Sequence, residues 1–381
     1  MLLQLDRETP ESMNNQRIDG VDFWRGLVLI VIFVNHLPGN YFEAWTPRNY
    51  GFSDSAEAFV FLSGVAVALA YAGRTLRGDL RGMVGGLGRR ARLLYLYHLG
   101  LTLAGFLLFA LADRLIEQSG FLAEHGRDLL VAEPVQGVLG VLGLGHQLGY
   151  FNILPLYFVL LLWAPVLLWL AVRSLPAMLA VSGAVYLLGA AGGVNLPTWP
   201  VEGVWFFNPL AWQFLFAIGI AAGYLIRTGK PVPQGQALGW SALAATLLGA
   251  LLVSDLFGAR PGLLASMTWL DPFKYKTDLG IVRLLAFLAL AYLLYLGRVA
   301  ERLRGTAVYA PLARMGRHGL AVFAAGCILT VIGQIAMRSW NTNAGFDLAF
   351  ILLGIVLFDR LAWMLDQSRV RAVRAKAAMQ A

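Results

Sequence analysis

Apolar runs of bilayer length, repeated along the whole chain, leave fewer folds open than any other feature of this sequence. Crossing about 30 Å of hydrocarbon takes roughly 20 mostly apolar residues in a helix, somewhat fewer where flanking side chains snorkel. Ten such runs are present: Val21–Leu37, Ser55–Ala72, Leu93–Ala112, Asn152–Val172, Met178–Ala191, Pro209–Ile226, Trp240–Phe257, Leu279–Leu296, Leu320–Met337 and Phe346–Leu365. The fifth is short, and polar residues punctuate the first two. Composition agrees, with 58% hydrophobic and 14% charged residues and a mean hydropathy of +0.65, whereas soluble domains are about half apolar and a quarter charged. The expected fold is all-α: a polytopic transmembrane helix bundle of about ten spans, with the lipid bilayer as its first partner.

Positive charge orients the bundle. With the N-terminus inside, twenty of the 30 Lys and Arg fall in connections on the cytoplasmic side and seven on the other, while Arg25, Arg283 and Arg360 lie within runs. Cytoplasmic loops carry the excess of such residues, so both termini are expected to be cytoplasmic. The net charge of +8 is then largely topology, and no nucleic-acid partner is expected. The organisation reads as a polar N-terminal segment (1–20), a membrane-embedded domain (21–365) and a basic tail (366–381). The first twenty residues mix acids with bases, unlike a cleavable leader, and no internal repeat is visible. The single cysteine, Cys327, excludes an internal disulfide and reads as a small packing residue. The longest connection, Asp113–Phe151, holds a semi-apolar stretch from Leu129 to Leu148. This is an outer surface or re-entrant helix, or else an eleventh span; its glycines and Glu133-Pro134 weigh against a span.

Ionisable residues inside the runs narrow the function. Arg25 and His36 bound the first run, and eleven residues of helix rise about 16 Å and end about 20° from whole turns, so the two share a face. A guanidinium in hydrocarbon costs at least about 2.5 kcal/mol and normally has a partner or a wet cavity; otherwise Arg25 is a headgroup anchor and His36 merely ends the run. Asp54, Ser55 and Glu57 stand at the start of the second run, on the side of His36. Either carboxylate can orient the imidazole or meet a substrate, or be a solvated acid at a helix start. Arg89 and Arg92, at i and i+3 on one helical face, suit the forked hydrogen bonds of a phosphate, or anionic headgroups. "NILPLY" and "NPLAWQF" place Asn152, Tyr157, Asn208 and Gln213 at span beginnings, where they can line an outward cavity or belong to an aromatic belt. His98 and His318 read as boundary residues, and His125 and His146 lack companions at metal-ligand spacing, so no metal site is expected.

Taken in order, the R-x10-H first run, "GFSDSAEAFVFLSG", "RRARLLYLY", "NILPLY", "NPLAWQFLFAIG" and "MGRHGLAVF" resemble the integral-membrane acyltransferase-3 superfamily, and more specifically its OpgC family, from Arg17 to about Asp359. The resemblance implies a multi-pass enzyme of the bacterial inner membrane. It would take an acyl group from cytoplasmic acyl-CoA, succinyl-CoA or acetyl-CoA, and deliver it to a hydroxyl of an osmoregulated periplasmic glucan or another envelope glycan. Acyl-CoA is a co-substrate, and no bound cofactor is implied. On this reading His36 is the catalytic base, assisted by Asp54 or Glu57. Arg25, Arg89 and Arg92 bind acyl-CoA, and Asn152, Tyr157, Asn208 and Gln213 bind the acceptor. A succinyl donor would want a cation for its free carboxylate, with Arg283, Lys274 and Lys276 as choices. The chain departs from the superfamily in lacking a proline after the arginine pair and in having "GRHGLAVF" where a serine-containing version is usual. A transporter or flippase of an anionic or glycolipid substrate remains the other reading, since ionisable groups in spans also mark pathways; the hydropathy shows no inverted halves.

Overall fold

The computed structural model describes residues 10–378 apart from 118, 150, 255–266 and 341, with the side chains of 10–18 and 372–378 outside that description. Arg7, Arg260, the end of the seventh run at Phe257 and the last residues of the basic tail therefore lie outside the described residues.

Each of the ten apolar runs falls on one helix: α1 (Pro10–Asn35), α2 (Ser55–Leu76), α3 (Leu80–Leu115), α4 (Ile153–Arg173), α5 (Leu175–Ala190), α6 (Pro209–Thr228), α7 (Gln236–Val253), α8 (Ile281–Leu296), α9 (Gly319–Ser339) and α10 (Ala344–Ala378). Seven of these, α2, α3, α4, α6, α7, α9 and α10, are long and apolar enough to cross a membrane. Helices α5 and α8 are apolar but span 16 residues each, and α1 carries charged residues through its first half. No strand occurs among the described residues, where a bridge pairs Pro197 with Val204. The protein is an all-helical, multi-pass membrane bundle. The stretch from Leu129 to Leu148 forms two short helices, Leu129–Ala132 and Pro134–Leu142, broken at Glu133-Pro134. Nine residues of helix rise about 14 Å, too little to cross a bilayer.

Local chemistry sets the ends that matter most. Asp54 caps α2 by accepting from the Ala56 amide at 2.7 Å, while Glu57 accepts from the Asp54 amide at 2.8 Å. This reciprocal capping box satisfies two amides the helix start leaves open. At the end of α1, the Asn40 side chain donates to the carbonyls of Val34 and Leu37 at 2.9 and 2.6 Å, helping to satisfy the acceptors that a helix end leaves open.

Helices α2 and α6 pack backbone to backbone. A side chain at Gly64 would collide with the Phe216 carbonyl, and one at Gly219 with the Phe61 carbonyl. Lipid tails are as apolar as leucine, so close backbone approach over small residues is what holds membrane helices together. The glycines of "FVFLSG" and "FLFAIG" thus build the centre of the bundle. One hydrophobic core draws buried residues from each of the ten numbered helices except α7, whose apolar window is only 11% buried and lies at the rim. Two regions of the bundle are called here the histidine end, where α1 finishes and α2 begins, and the arginine end, where Arg25 meets the start of α9.

Candidate functional site

His36 follows the last residue of α1, with its ring Nδ1 2.6 Å from the Ile32 carbonyl one turn back. A carbonyl only accepts, so Nδ1 carries the hydrogen and a neutral ring keeps its lone pair on Nε2. The side chain of Gln334 on α9 donates to the His36 carbonyl at 3.2 Å, fixing the backbone that holds the ring. Beside the imidazole is a cavity of about 540 Å³, within the range of small-molecule sites. Its polar lining includes His36, Ser55, Asn152, Lys276 and Thr330, and its apolar part includes Leu29, Phe59, Val322 and Phe323. The rings of Phe59 and Phe323 are 5.7 Å apart and close the deep end.

Asp54 and Glu57 sit at the same end but are committed to cations. Lys276 reaches Asp54 at 2.6 Å, and Arg283 on α8 reaches Glu57 at 2.7 Å and Asp54 at 3.4 Å. Burial pushes the Asp54 carboxyl up, but Lys276 and Arg283 outweigh it and hold the group below the usual carboxylate range. Glu57 is completely buried. The two carboxylates therefore tie the start of α2 to α8 and the segment before it. His36 is oriented by its hydrogen bond to the Ile32 carbonyl, while Asp54 and Lys276 lie within electrostatic reach of the ring.

About three turns back along α1 from His36, Arg25 pairs with Asp22 at 3.3 Å. A side chain at Gly316 would collide with the Asp22 carbonyl, and one at Gly319 would come within 2.9 Å of the Arg25 guanidinium. The two glycines of "MGRHG" thus leave room for α1 and its arginine. The structure turns Arg90 inward, close enough to feel the charge of Arg25 and to reach Tyr157, whereas Arg89 and Arg92 on either side of it are exposed. Two guanidiniums brought together, with Asp22 as the neighbouring acid, form a site suited to an anion.

The four expected acceptor residues separate. Asn152 lines the cavity. Tyr157 lies beneath it, with its ring 6.1 Å from that of Phe59. Asn208 and Gln213 are elsewhere and already bonded: Asn208 donates to the Val194 carbonyl and to Asp278, both at 2.8 Å, and Gln213 exchanges bonds with Ser182 at 2.6 and 2.8 Å. These amides hold α5, α6 and the segment before α8 together.

Two cavity residues had no signal in the sequence. His125 and His146, from the connection between α3 and α4, fold over the histidine end and line the same cavity as His36. His146 Nε2 is 3.0 Å from the Gly126 carbonyl. Burial lowers the pKa of His146 from its ordinary value, and burial followed by Arg127 does the same for His125. Among the described residues no group of three or more His, Cys, Asp or Glu is placed to hold a metal. Arg90 did carry a signal, because Met83, Gly86, Leu87, Ala91, Leu94 and His98 form the buried stripe of α3, and position 90 falls on it.

A helical membrane bundle with a histidine-bearing cavity at one end and converging guanidiniums at the other defines a membrane protein with a two-ended site. The chain belongs to the OpgC family: the model of the OpgC protein family matches residues 17–370. No curated protein and no solved structure matches it. Family membership suggests a transferase that acts in glucan modification.

Proposed function

We propose that the protein is a membrane O-acyltransferase that moves an acyl group from acyl-CoA, bound at a cytoplasmic arginine end, to a hydroxyl of a periplasmic glucan or related envelope glycan at the histidine end. The bacterial inner membrane is the setting this reading requires. The observation that carries it is the construction of α1. One helix holds an imidazole of fixed tautomer beside a cavity and, about 16 Å away on the same face, a guanidinium joined by a second one from α3.

In the reaction, neutral His36 accepts the glycan hydroxyl proton at Nε2 while the oxygen attacks the thioester carbon. The tetrahedral intermediate collapses, the carbon–sulfur bond breaks, and the thiolate of CoA takes the proton from the imidazolium. The products are an ester and free CoA. General-base assistance of this kind contributes about 10²- to 10⁴-fold. Arg25 and Arg90 hold the phosphates of the donor, while its thioester arm passes the Phe59–Phe323 floor. Lys276 favours a succinyl over an acetyl group, because it is the lysine or arginine among the described residues that line the cavity. Lys274 and Arg283 are not among the residues lining the cavity; Lys276, although it pairs with Asp54 at 2.6 Å, has three donors on its ammonium and can share them with a second carboxylate.

Mass spectrometry of envelope glycans from cells making the wild-type protein or His36→Ala, at matched membrane levels, tests the reading. An acyl increment confined to wild-type cells supports it and names the group by its mass. Identical glycans in both strains overturn it and return the transporter reading to first place.

A further inference from the structure

Part of the cavity lining belongs to the connections before α4 and before α6. Here His146 is held from two directions: its backbone amide donates to the Gly140 carbonyl at 2.9 Å, and its ring Nε2 meets the Gly126 carbonyl at 3.0 Å. The same segment is pressed against the next connection, since a side chain at Gly145 would lie 3.0 Å from the Trp199 carbonyl. The ring is 2% exposed and has little freedom to turn.

This arrangement settles the chemistry of the imidazole. The Gly126 carbonyl accepts, so Nε2 is the N–H nitrogen and Nδ1 carries the lone pair. No described protein group bonds Nδ1, and the ring lines the cavity together with Gln147 and Thr198. The wall is neutral: none of these residues is a carboxylate, a lysine or an arginine. It presents a fixed hydrogen-bond acceptor, an amide and a hydroxyl, which is the set that meets sugar hydroxyls, whereas an anion would choose the Lys276 side.

We infer that His146 is an acceptor-binding residue that receives a hydrogen bond from a hydroxyl of the incoming sugar through Nδ1, placing the acceptor against the neutral residues His146, Gln147 and Thr198. The inference rests on the acyltransferase reading for the identity of the sugar as acceptor. The roles of the two imidazoles differ. His36 moves the proton of the attacking hydroxyl, and His146 holds a neighbouring hydroxyl so that the attacking one faces His36.

Two substitutions separate the binding role from the structural one. In His146→Gln the side-chain amide can occupy the position of Nε2 and keep donating to the Gly126 carbonyl, but no acceptor remains at the position of Nδ1. In His146→Asn the amide oxygen falls near Nδ1, and the bond to Gly126 is lost. Binding of a short glucose oligosaccharide to the purified full-length protein in nanodiscs, with no donor present, is measured by calorimetry beside the melting temperature. The expected result is that His146→Gln melts with wild type but binds about tenfold more weakly, while His146→Asn melts lower and binds more tightly than His146→Gln. Wild-type affinity in His146→Gln, or no binding by wild type, overturns the inference. Thioester consumption from succinyl-CoA, followed in the same preparations, reports on the underlying reading separately. If wild type and His36→Ala consume thioester equally the acyltransferase reading fails, whatever the oligosaccharide does.

Discussion

Arg90 offers the sharpest test of the donor site, because the structure and the local sequence pattern point to different arginines. The i, i+3 pair Arg89 and Arg92 is exposed, and Arg90 is turned inward toward Arg25 and Tyr157. A hydrogen bond to a charged group contributes about 1.5–3 kcal/mol net, so removing the inward guanidinium should weaken the donor by roughly ten- to a hundredfold. An exposed ion pair is worth about 0–1 kcal/mol, which limits the effect of either flanking arginine to roughly fivefold. The assay is succinyl-CoA consumption by the purified protein in nanodiscs, with KM and kcat measured for Arg90→Gln, Arg89→Gln and Arg92→Gln. Contacts to the donor phosphates are the same in the bound substrate and the transition state, so KM should rise while kcat holds. Arg90→Lys keeps the charge but loses the fork and should fall between wild type and Arg90→Gln. The reasoning is refuted if Arg89→Gln or Arg92→Gln raises KM more than Arg90→Gln.

Three further outcomes follow from the same geometry. Lys276→Met should move the preference between succinyl-CoA and acetyl-CoA toward acetyl by about tenfold or more, the worth of one charge-assisted contact; an unchanged ratio of kcat/KM values removes Lys276 from acyl selection. Arg283→Met should destabilise the bundle by about 3–5 kcal/mol, because it leaves the fully buried Glu57 beside Asp54. Glu57→Gln should cost less, since Arg283 keeps Asp54 at 3.4 Å; melting temperatures in the reverse order would contradict this. Burial holds His146 below its ordinary value of 6.5 against the Gly126 carbonyl and Asp128, and burial and Arg127 hold His125 below it against Glu124, with Arg338 adding to the lowering. A lowered histidine pKa means that the opened connection binds protons more readily. Its closed form is therefore fully stable above about pH 6.5 and loses stability as pH falls below that value. Hydrogen exchange over 119–149 should be pH-independent above 6.5, after correction for intrinsic rates, and faster below; a constant corrected rate would contradict it.

The ten helices were legible because hydrocarbon imposes length and apolarity on each run separately, and no long-range information is needed to read them. The pairing of Arg25 with His36 was legible for a related reason, since both lie on one helix and helical period alone puts them on one face. The remainder of the site depends on which helix face turns inward and on how connections fold back. Choosing Arg89 and Arg92 followed their own spacing; the apolar stripe from Met83 to His98 contains the information that Arg90 faces the bundle. The sequence places Asp54 and Glu57 at the start of α2 near His36, but their partners Lys276 and Arg283 are more than two hundred residues away, so their engagement in a tie between α2 and α8 could not be read locally. Asn208 and Gln213 looked like cavity residues because polar groups at span starts often are. Here Asp278 and Ser182 use them instead. Nothing in the spacing of His125 and His146 signals that the connection between α3 and α4 closes over His36.

The floor of the cavity bears on why the two ends should be separated at all. A base such as His36 in a polar, open cavity would serve water as readily as a sugar hydroxyl, so a thioester standing permanently beside it would be hydrolysed. The stacked order along α1 avoids this: Arg25 lies beside Gly319, then Leu29 and Val322 follow one turn on, with Phe59 and Phe323 at the same depth, and His36 comes last. On the acyltransferase reading the donor phosphates would be held on one side of an apolar layer and the base on the other, so only an acyl arm long enough to cross that layer would meet the imidazole. On this reading α1 measures the donor, and the neutral wall around His146 selects what is waiting for it.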